Sequence, residues 1–242
     1  MFSARNGFFT SAWSPLALSP LAFFDAGNSA SYPGSGSTVT DLSGNANDGT
    51  LTGTTGYSSA DGGQITLATD GYIKITPFET GSKLSGKSQL TISVFAKHSN
   101  ASTAFFSYGA LASFADDIFF YFNAGTILSQ VNNGADGAGS FSRSFSSAWT
   151  HFVFVFDGTA TGNANRLKIY INGVLATLSF SYTVPSSTAS PSLPLARIGS
   201  YVSFPAGWFL NGSIASFQCY LSALSSSDVS QLFNWGRGRL GI

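Results

Sequence analysis

Residues 149–180, WTHFVFVFDGTATGNANRLKIYINGVLATLSF, constrain the fold more tightly than any other stretch of the chain. Residues 151–156 place an apolar or aromatic side chain at nearly every position, the pattern of a strand covered on both faces. Residues 166–171 alternate instead. Leu167, Ile169 and Ile171 share one face and Arg166, Lys168 and Tyr170 the other, as in a half-buried strand. Asn172-Gly173 follows at once. Two residues that accept positive φ between apolar runs predict a type I′ turn, with residues 174–180 pairing back antiparallel.

The same reading extends along the chain. Residues 64–67, 72–75, 90–96, 104–108, 118–123 and 126–131 have strand length and strand composition, separated by Gly, Asn, Ser or Asp turns. Only residues 226–234 carry helical spacing, with Ser225 and Asp228 placed as a capping pair. The serine-rich segment 185–194 is a loop too short to divide domains. The expectation is an all-β protein, two antiparallel sheets packed as a sandwich, with one short C-terminal helix. A sandwich of 242 residues can remain a single domain. It is read as a body over residues 21–234, preceded by an N-terminal arm of residues 1–20 and followed by a tail of residues 235–242.

The order of motifs resembles the concanavalin A-like sandwich in its laminin-G-like form. Trp149-Thr150-His151 and Asp157-Gly158 bracket one strand, and Lys168-Ile169-Tyr170-Ile171-Asn172-Gly173-Val174 forms the hairpin. Arg197-Ile198-Gly199 and residues 209–220, FLNGSIASFQCY, resemble the family's I-G strand and its F-x-G-x-I closing strand. Residues 25–36 and 41–51, DAGNSASYPGSG and DLSGNANDGTL, are similar to the opening segment of such domains in structural proteins of tailed bacteriophages. That resemblance implies a non-enzymatic virion protein, a capsid decoration or a tail or fibre component. Its partners would be other virion proteins and copies of itself, assembled in a host cytoplasm. The alternative function is a carbohydrate-binding adhesin that recognises host-surface glycans.

Residue supply excludes most chemistry. Glucanases of this architecture need two carboxylates flanking the glycosidic bond, and the chain has a single Glu, Glu79. Asp116 and Asp117 are adjacent, so on a strand they point to opposite faces. His98 and His151 are the only histidines, which rules out a multi-His metal site, and His151 reads as a satisfied sheet residue. No G-x-S-x-G elbow and no phosphate-binding G-x-x-x-x-G-K-[ST] loop occurs. The lone Cys219 lies in an expected core strand and reads as a small buried hydrophobe. No cofactor is expected, with calcium the one ion to weigh. Relatives of the fold hold one near the D-x-S-G-N segment, which the resemblance carries to Asp41, Asn45, Asn47 and Asp48. The acidic residue that would follow the Ile of the closing strand is here Ala215. The other reading of that loop is a network of Asx turns.

Charge and aromaticity bear on partners. Only 9% of residues are charged, against about 25% in typical chains, so solubility rests on Ser, Thr, Asn and Gly. A formal net charge of +0 argues against nucleic acid, and no apolar run is long enough to span a membrane. One Arg and apolar residues broken by Ser, Pro15 and Pro20 make residues 1–24 a poor export signal. Phe2, Phe8, Phe9 and Trp13 nevertheless make the arm aromatic, so it docks on a neighbour, as an assembly element, or folds over its own sandwich. Tyr182, Tyr201, Phe204 and Trp208 fall in loop or edge segments, where they either stack on sugar or fill core and subunit contacts.

Overall fold

In the computed structural model, Asn172 and Gly173 have φ of 50° and 78°, the two positive values that a type I′ hairpin requires. The structure describes residues 13–99, 102–110, 116–134, 137–144, 146–201 and 208–242. The first strands are β1 (Ala22–Asp25), β2 (Thr38–Val39), β3 (Gly49–Thr52), β4 (Thr55–Ser58), β5 (Gln64–Leu67) and β6 (Tyr72–Lys74). Next come β7 (Gln89–His98), β8 (Ser102–Gly109), β9 (Asp117–Asn123), β10 (Thr126–Val131), β11 (Ala138–Ser142) and β12 (Thr150–Asp157). The last are β13 (Leu167–Ile171), β14 (Val174–Leu175), β15 (Ser179–Phe180), β16 (Leu195–Ile198) and β17 (Gly212–Tyr220). Helices α1 (Thr76–Thr80) and α2 (Asn163–Arg166) are short, and α3 (Ser226–Leu240) closes the chain.

These strands form two antiparallel sheets. The eight-stranded sheet has the order β14-β13-β12-β7-β17-β5-β4, with β1 also paired to β17. The nine-stranded sheet has the order β15-β11-β10-β9-β8-β16-β6-β3-β2. Between them lies the main core, where Phe152, Phe154 and Phe156 of β12 meet Phe105 and Phe106 of β8 and Phe120 and Phe122 of β9. The other face of β12 is covered as well. Val153 and Val155 pack with Tyr170 and Tyr220 under Val229 and Leu232 of α3, which is why residues 151–156 carry no polar face.

The hairpin departs from its expected length. Only Val174 and Leu175 pair back onto β13, at Ile171 and Tyr170. The chain then crosses to the other sheet, where Ser179 and Phe180 pair with Ser140 and Gly139 of β11. The crossing is driven by Leu178 and Phe180, which pack against the main core. Gly139 makes room for them, since a Cβ there would lie 2.8 Å from the Phe180 ring and 3.0 Å from Leu178.

Helix α3 begins as its sequence signals. The Ser225 amide donates to Asp228 Oδ2 at 2.9 Å and the Asp228 amide donates to Ser225 Oγ at 3.2 Å, a reciprocal capping box. It does not stop at residue 234 but runs to Leu240, through residues that the sequence assigns to a tail. Gly236 and Gly238 disfavour helix by about 1 kcal/mol each, and packing overrides them. A Cβ at Gly236 would meet the Phe95 ring at 2.5 Å, so glycine is what allows α3 to lie flat on β7. The N-terminal segment also differs from an unstructured arm. Pro15–Leu18 form a 3-10 turn, and Trp13 and Leu18 pack beside α3 on this same domain. Phe2, Phe8 and Phe9 lie outside the described residues.

The interface between α3 and its sheet buries a polar group that titrates. His151 is stacked between Phe95 (4.0 Å) and Phe233 (6.0 Å), both rings within 10° of parallel. Ser93 Oγ donates its single proton to Gln218 Oε1 at 2.7 Å, so the 2.9 Å contact to His151 is donated by Nε2–H. Nδ1 is then the bare acceptor, buried without a hydrogen-bond partner. A second ring proton would be charged and unpaired there, and burial depresses the His151 pKa to about 3. A depressed folded-state pKa contributes stability above the unfolded value near 6.5 and loses it as pH falls toward 3. Urea titrations at about pH 7 and about pH 5 should therefore show wild-type losing about 2 kcal/mol more than His151→Phe. Parallel losses in the two proteins would mean that the His151 proton is accommodated in the fold.

Candidate functional site

The two outward faces of the sandwich are unlike. That of the eight-stranded sheet is roofed by α3, where Phe95, Trp149, Ala215 and Leu240 form one buried patch and Val153, Val155 and Tyr220 another. No helix of this kind covers the nine-stranded sheet among the described residues, and its outward positions alternate with core residues along each strand. On β9 the core takes Ile118, Phe120 and Phe122, which leaves Asp117, Phe119, Tyr121 and Asn123 facing out.

Four rings gather on this outward face. Phe119 is buried beneath Tyr201, stacked at 3.8 Å, and Tyr121, stacked at 4.0 Å. Trp208 meets Tyr121 edge-on at 5.2 Å and 79°. Tyr121 and Trp208 are the half-buried members, so their rings form the accessible part of the cluster. Tyr201 is fixed from below. Its hydroxyl donates to Asp117 Oδ2 at 2.7 Å, and Asn132 Nδ2 donates to Asp117 Oδ1 at 2.7 Å, which occupies both carboxylate oxygens. Burial first, and the Asp117 charge second, push the Tyr121 phenol up to about 12, so it remains a hydrogen-bond donor at neutral pH.

Of the aromatic residues singled out in the sequence, Tyr201 and Trp208 come together here. Tyr182 does not join them. It is 57% exposed on the segment after β15, where its carbonyl accepts from Asn163 Nδ2 at 2.8 Å. Phe204 lies outside the described residues. Phe119, Tyr121 and Asp117 were missed by sequence reasoning because β9 is aromatic on both faces, and nothing in its periodicity says which face another layer covers. A cleft of about 510 Å³ at the β4, β5, β7 and β17 strands is lined by Thr55, Thr66, Lys97, Asn211 and Ser213 among others, with no Phe, Tyr or Trp.

Among the described residues no pair of carboxylates is set up for catalysis. Glu79 lies in α1, where Oε1 accepts from the Ala196 amide at 3.2 Å and Oε2 pairs with Lys74 at 3.2 Å. It ties the helix to β16 and β6. Asp116 accepts from the Gly134 amide at 3.2 Å while Asp117 turns the other way, toward Tyr201. Cys219 is buried in β17, and burial raises its thiol pKa.

A family model described as the concanavalin A-like lectin/glucanases superfamily matches residues 67–230, more than half of the chain. The chain belongs to this superfamily. No match is found among curated proteins. Among solved structures, domain 4 of AbnA, an extracellular arabinanase from Geobacillus stearothermophilus in complex with arabinotriose, aligns with a TM-score of 0.61 at 20% identity. That alignment covers 88% of this chain and 97% of the other. The CBM40 of the Ruminococcus gnavus IT-sialidase, bound to alpha2,3 sialyllactose, aligns with a TM-score of 0.56 at 15% identity, covering 70% and 96%. The botulinum neurotoxin serotype G binding domain gives 0.60 at 12% identity and covers 89% of this chain. This chain spans about half the length of that one, 51%. At these identities the likeness establishes the fold.

Within this superfamily fold, the loop after β2 brings Asp41, Asn45, Asn47 and Asp48 together around the start of β1. Asp41 Oδ1 accepts from the amides of Phe23 and Ser43, both at 2.9 Å. Its Oδ2 accepts from Ser43 Oγ at 2.7 Å and the Asn47 amide at 3.0 Å. Asp48 accepts from the Asp41 amide at 2.8 Å. Asn45 and Asn47 turn their amide N–H groups to the carbonyls of Pro20 and Leu21. Four donors of the chain thus fill the Asp41 carboxylate, as an Asx-turn network does, while Asn47 Oδ1 is buried without a hydrogen-bond partner. Ala215, at the place of the absent acidic ligand, has its carbonyl taken by Arg239 Nη2 at 3.1 Å. Thermal unfolding should accordingly have the same midpoint in calcium and in chelator. A rise of several degrees on adding calcium would reveal an ion bound to the folded state.

Proposed function

We propose that this chain is a non-catalytic carbohydrate-binding module, with Trp208 and Tyr121 as the surface on which a sugar ring rests. The observation that carries this reading is the half-buried, near-perpendicular pair of rings on the sheet face that no long helix covers among the described residues. Sugar rings have apolar C–H faces that pack on aromatic side chains, with a few fixed polar groups setting orientation. The buried Phe119–Tyr201 stack and the Asp117 bonds hold the pair rigid, so little conformational entropy is lost on binding. Structural neighbours support the reading, since two of them were solved with arabinotriose and with sialyllactose. The single glutamate, engaged by Lys74 and Ala196, supports the absence of hydrolysis.

In binding to a glycan array followed by calorimetry, the module should select at least one oligosaccharide class. Trp208→Ala should weaken it tenfold or more, about 1.4 kcal/mol, with an unchanged melting temperature. A chain that binds no glycan, or a Trp208→Ala variant with full affinity, would refute the reading.

We place the module in the virion of a tailed phage, as a capsid decoration or a tail or fibre component assembled in the host cytoplasm beside copies of itself. The support is the wording of residues 25–36 and 41–51. In that setting a sugar-binding face holds the particle at a host surface, which joins the structural and the adhesive readings. Mass spectrometry of purified particles should find the chain at structural stoichiometry, and its absence from them would remove the virion setting.

A further inference from the structure

The outward face of the nine-stranded sheet has a second feature, seen by following one row across the strands. From Phe119 on β9 the directly paired residues are Ser107 on β8, Arg197 on β16, Lys74 on β6 and Thr50 on β3. Arg197 and Lys74 are thus immediate cross-strand neighbours, and like charges so placed destabilise a sheet. Lys74 is relieved by its 3.2 Å ion pair with Glu79. Arg197 has no acidic partner among the described residues. Its guanidinium lies instead over the Tyr72 ring at 4.7 Å.

Arg237 is similarly placed over the Phe233 ring at 5.5 Å, and three other arginines show the contrast. Arg166 donates to the carbonyls of Ala160 and Val184, Arg143 donates to Thr150 Oγ1, and Arg239 pairs with Asp25 at 2.7 Å. Arg197 uses none of its five N–H groups on the described residues. A guanidinium placed over a ring face makes no hydrogen bond to it, and its planar N–H fork matches the two coplanar oxygens of a carboxylate. With Lys74 neutralised by Glu79, Arg197 carries the one unpaired positive charge of this trio on the outward face. Two strand steps separate Arg197 from Phe119 beneath the aromatic pair, about 10 Å at the usual strand spacing. Ser107 and Phe119 in that interval lie beneath the Ser200 carbonyl and the Tyr201 ring, so a sugar chain from Trp208 and Tyr121 to Arg197 would pass over this segment.

We propose that the ligand of this face is an acidic oligosaccharide, its carboxylate held by the Arg197 fork. This rests on the carbohydrate-binding reading above and specifies the ligand class. Calorimetry with matched pairs tests it: sialyllactose against lactose, and a galacturonic acid trisaccharide against its carboxyl-reduced form, with a sulfated disaccharide as a third arm. Wild-type should prefer the acidic member of at least one pair by tenfold or more, and the preference should shrink as salt is raised. Arg197→Gln should bring the members of that pair to within about twofold, or roughly 0.4 kcal/mol, while Trp208→Ala weakens both. Equal wild-type affinity for acidic and neutral members overturns the inference and leaves the module reading standing. A preference for the sulfated sugar alone, or one that persists in Arg197→Gln, also overturns it. Binding to none of the sugars removes both. Should Arg197→Gln lower the melting temperature, the wild-type salt titration decides the same question.

Discussion

The requirement that β7, β12 and β17 be covered on both faces sets the rest of this structure. These strands are apolar inward and carry Phe95, Val153, Val155, Ala215 and Tyr220 among a few polar groups outward, so the sheet needs a layer on each side. The nine-stranded sheet supplies one layer. Helix α3, with the turn at Pro15–Leu18, supplies the other. Each apolar side chain so covered is worth about 1.5–3 kcal/mol, which is enough to hold two glycines in helix where Phe95 demands close approach. Once α3 is placed there, the opposite outward face is the one left for a ligand.

That asymmetry explains how the polar residues are used. Under α3 the hydroxyl of Ser93, the amide of Gln218 and the ring of His151 form a short buried relay that needs no charge. On the open face the polar groups are of another kind. Asp117 serves as an anchor for Tyr201, and Arg197 and Lys74 are held on a ring and a carboxylate respectively. The neutral network suits a low-dielectric interface, and the cations sit where water or a ligand can reach them.

Much of the fold was legible in the sequence because local signals agreed with the final packing. The Asn172-Gly173 turn, the Ser225 and Asp228 capping box and the double-sided strand at residues 151–156 each follow from short-range rules. The misreadings share a physical origin. Residues 174–180 look like a hairpin arm, yet Leu178 and Phe180 gain more by packing into the core than by continuing the ladder. Residues 235–242 read as a tail, yet α3 continues to Leu240 and Gly236 is its contact point with Phe95. The site was legible only in part: Trp208 and Tyr201 stand out in a polar segment, whereas Tyr121, Phe119 and Arg197 matter through cross-strand neighbours far away in the chain.

The short passage from Ala176 to Ser179 leaves one sheet and enters the other within a few residues. It therefore acts as a lateral tie between the sandwich's two layers at one edge. Sliding the layers past each other would have to break the β11–β15 hydrogen bonds together and pull Leu178 and Phe180 from the core, so the tie resists shear as a unit. In the proposed role, a glycan held by the nine-stranded sheet would load the layers in that direction when pulled. The edge crossing puts the mechanical strength of the domain where such a load would otherwise part it.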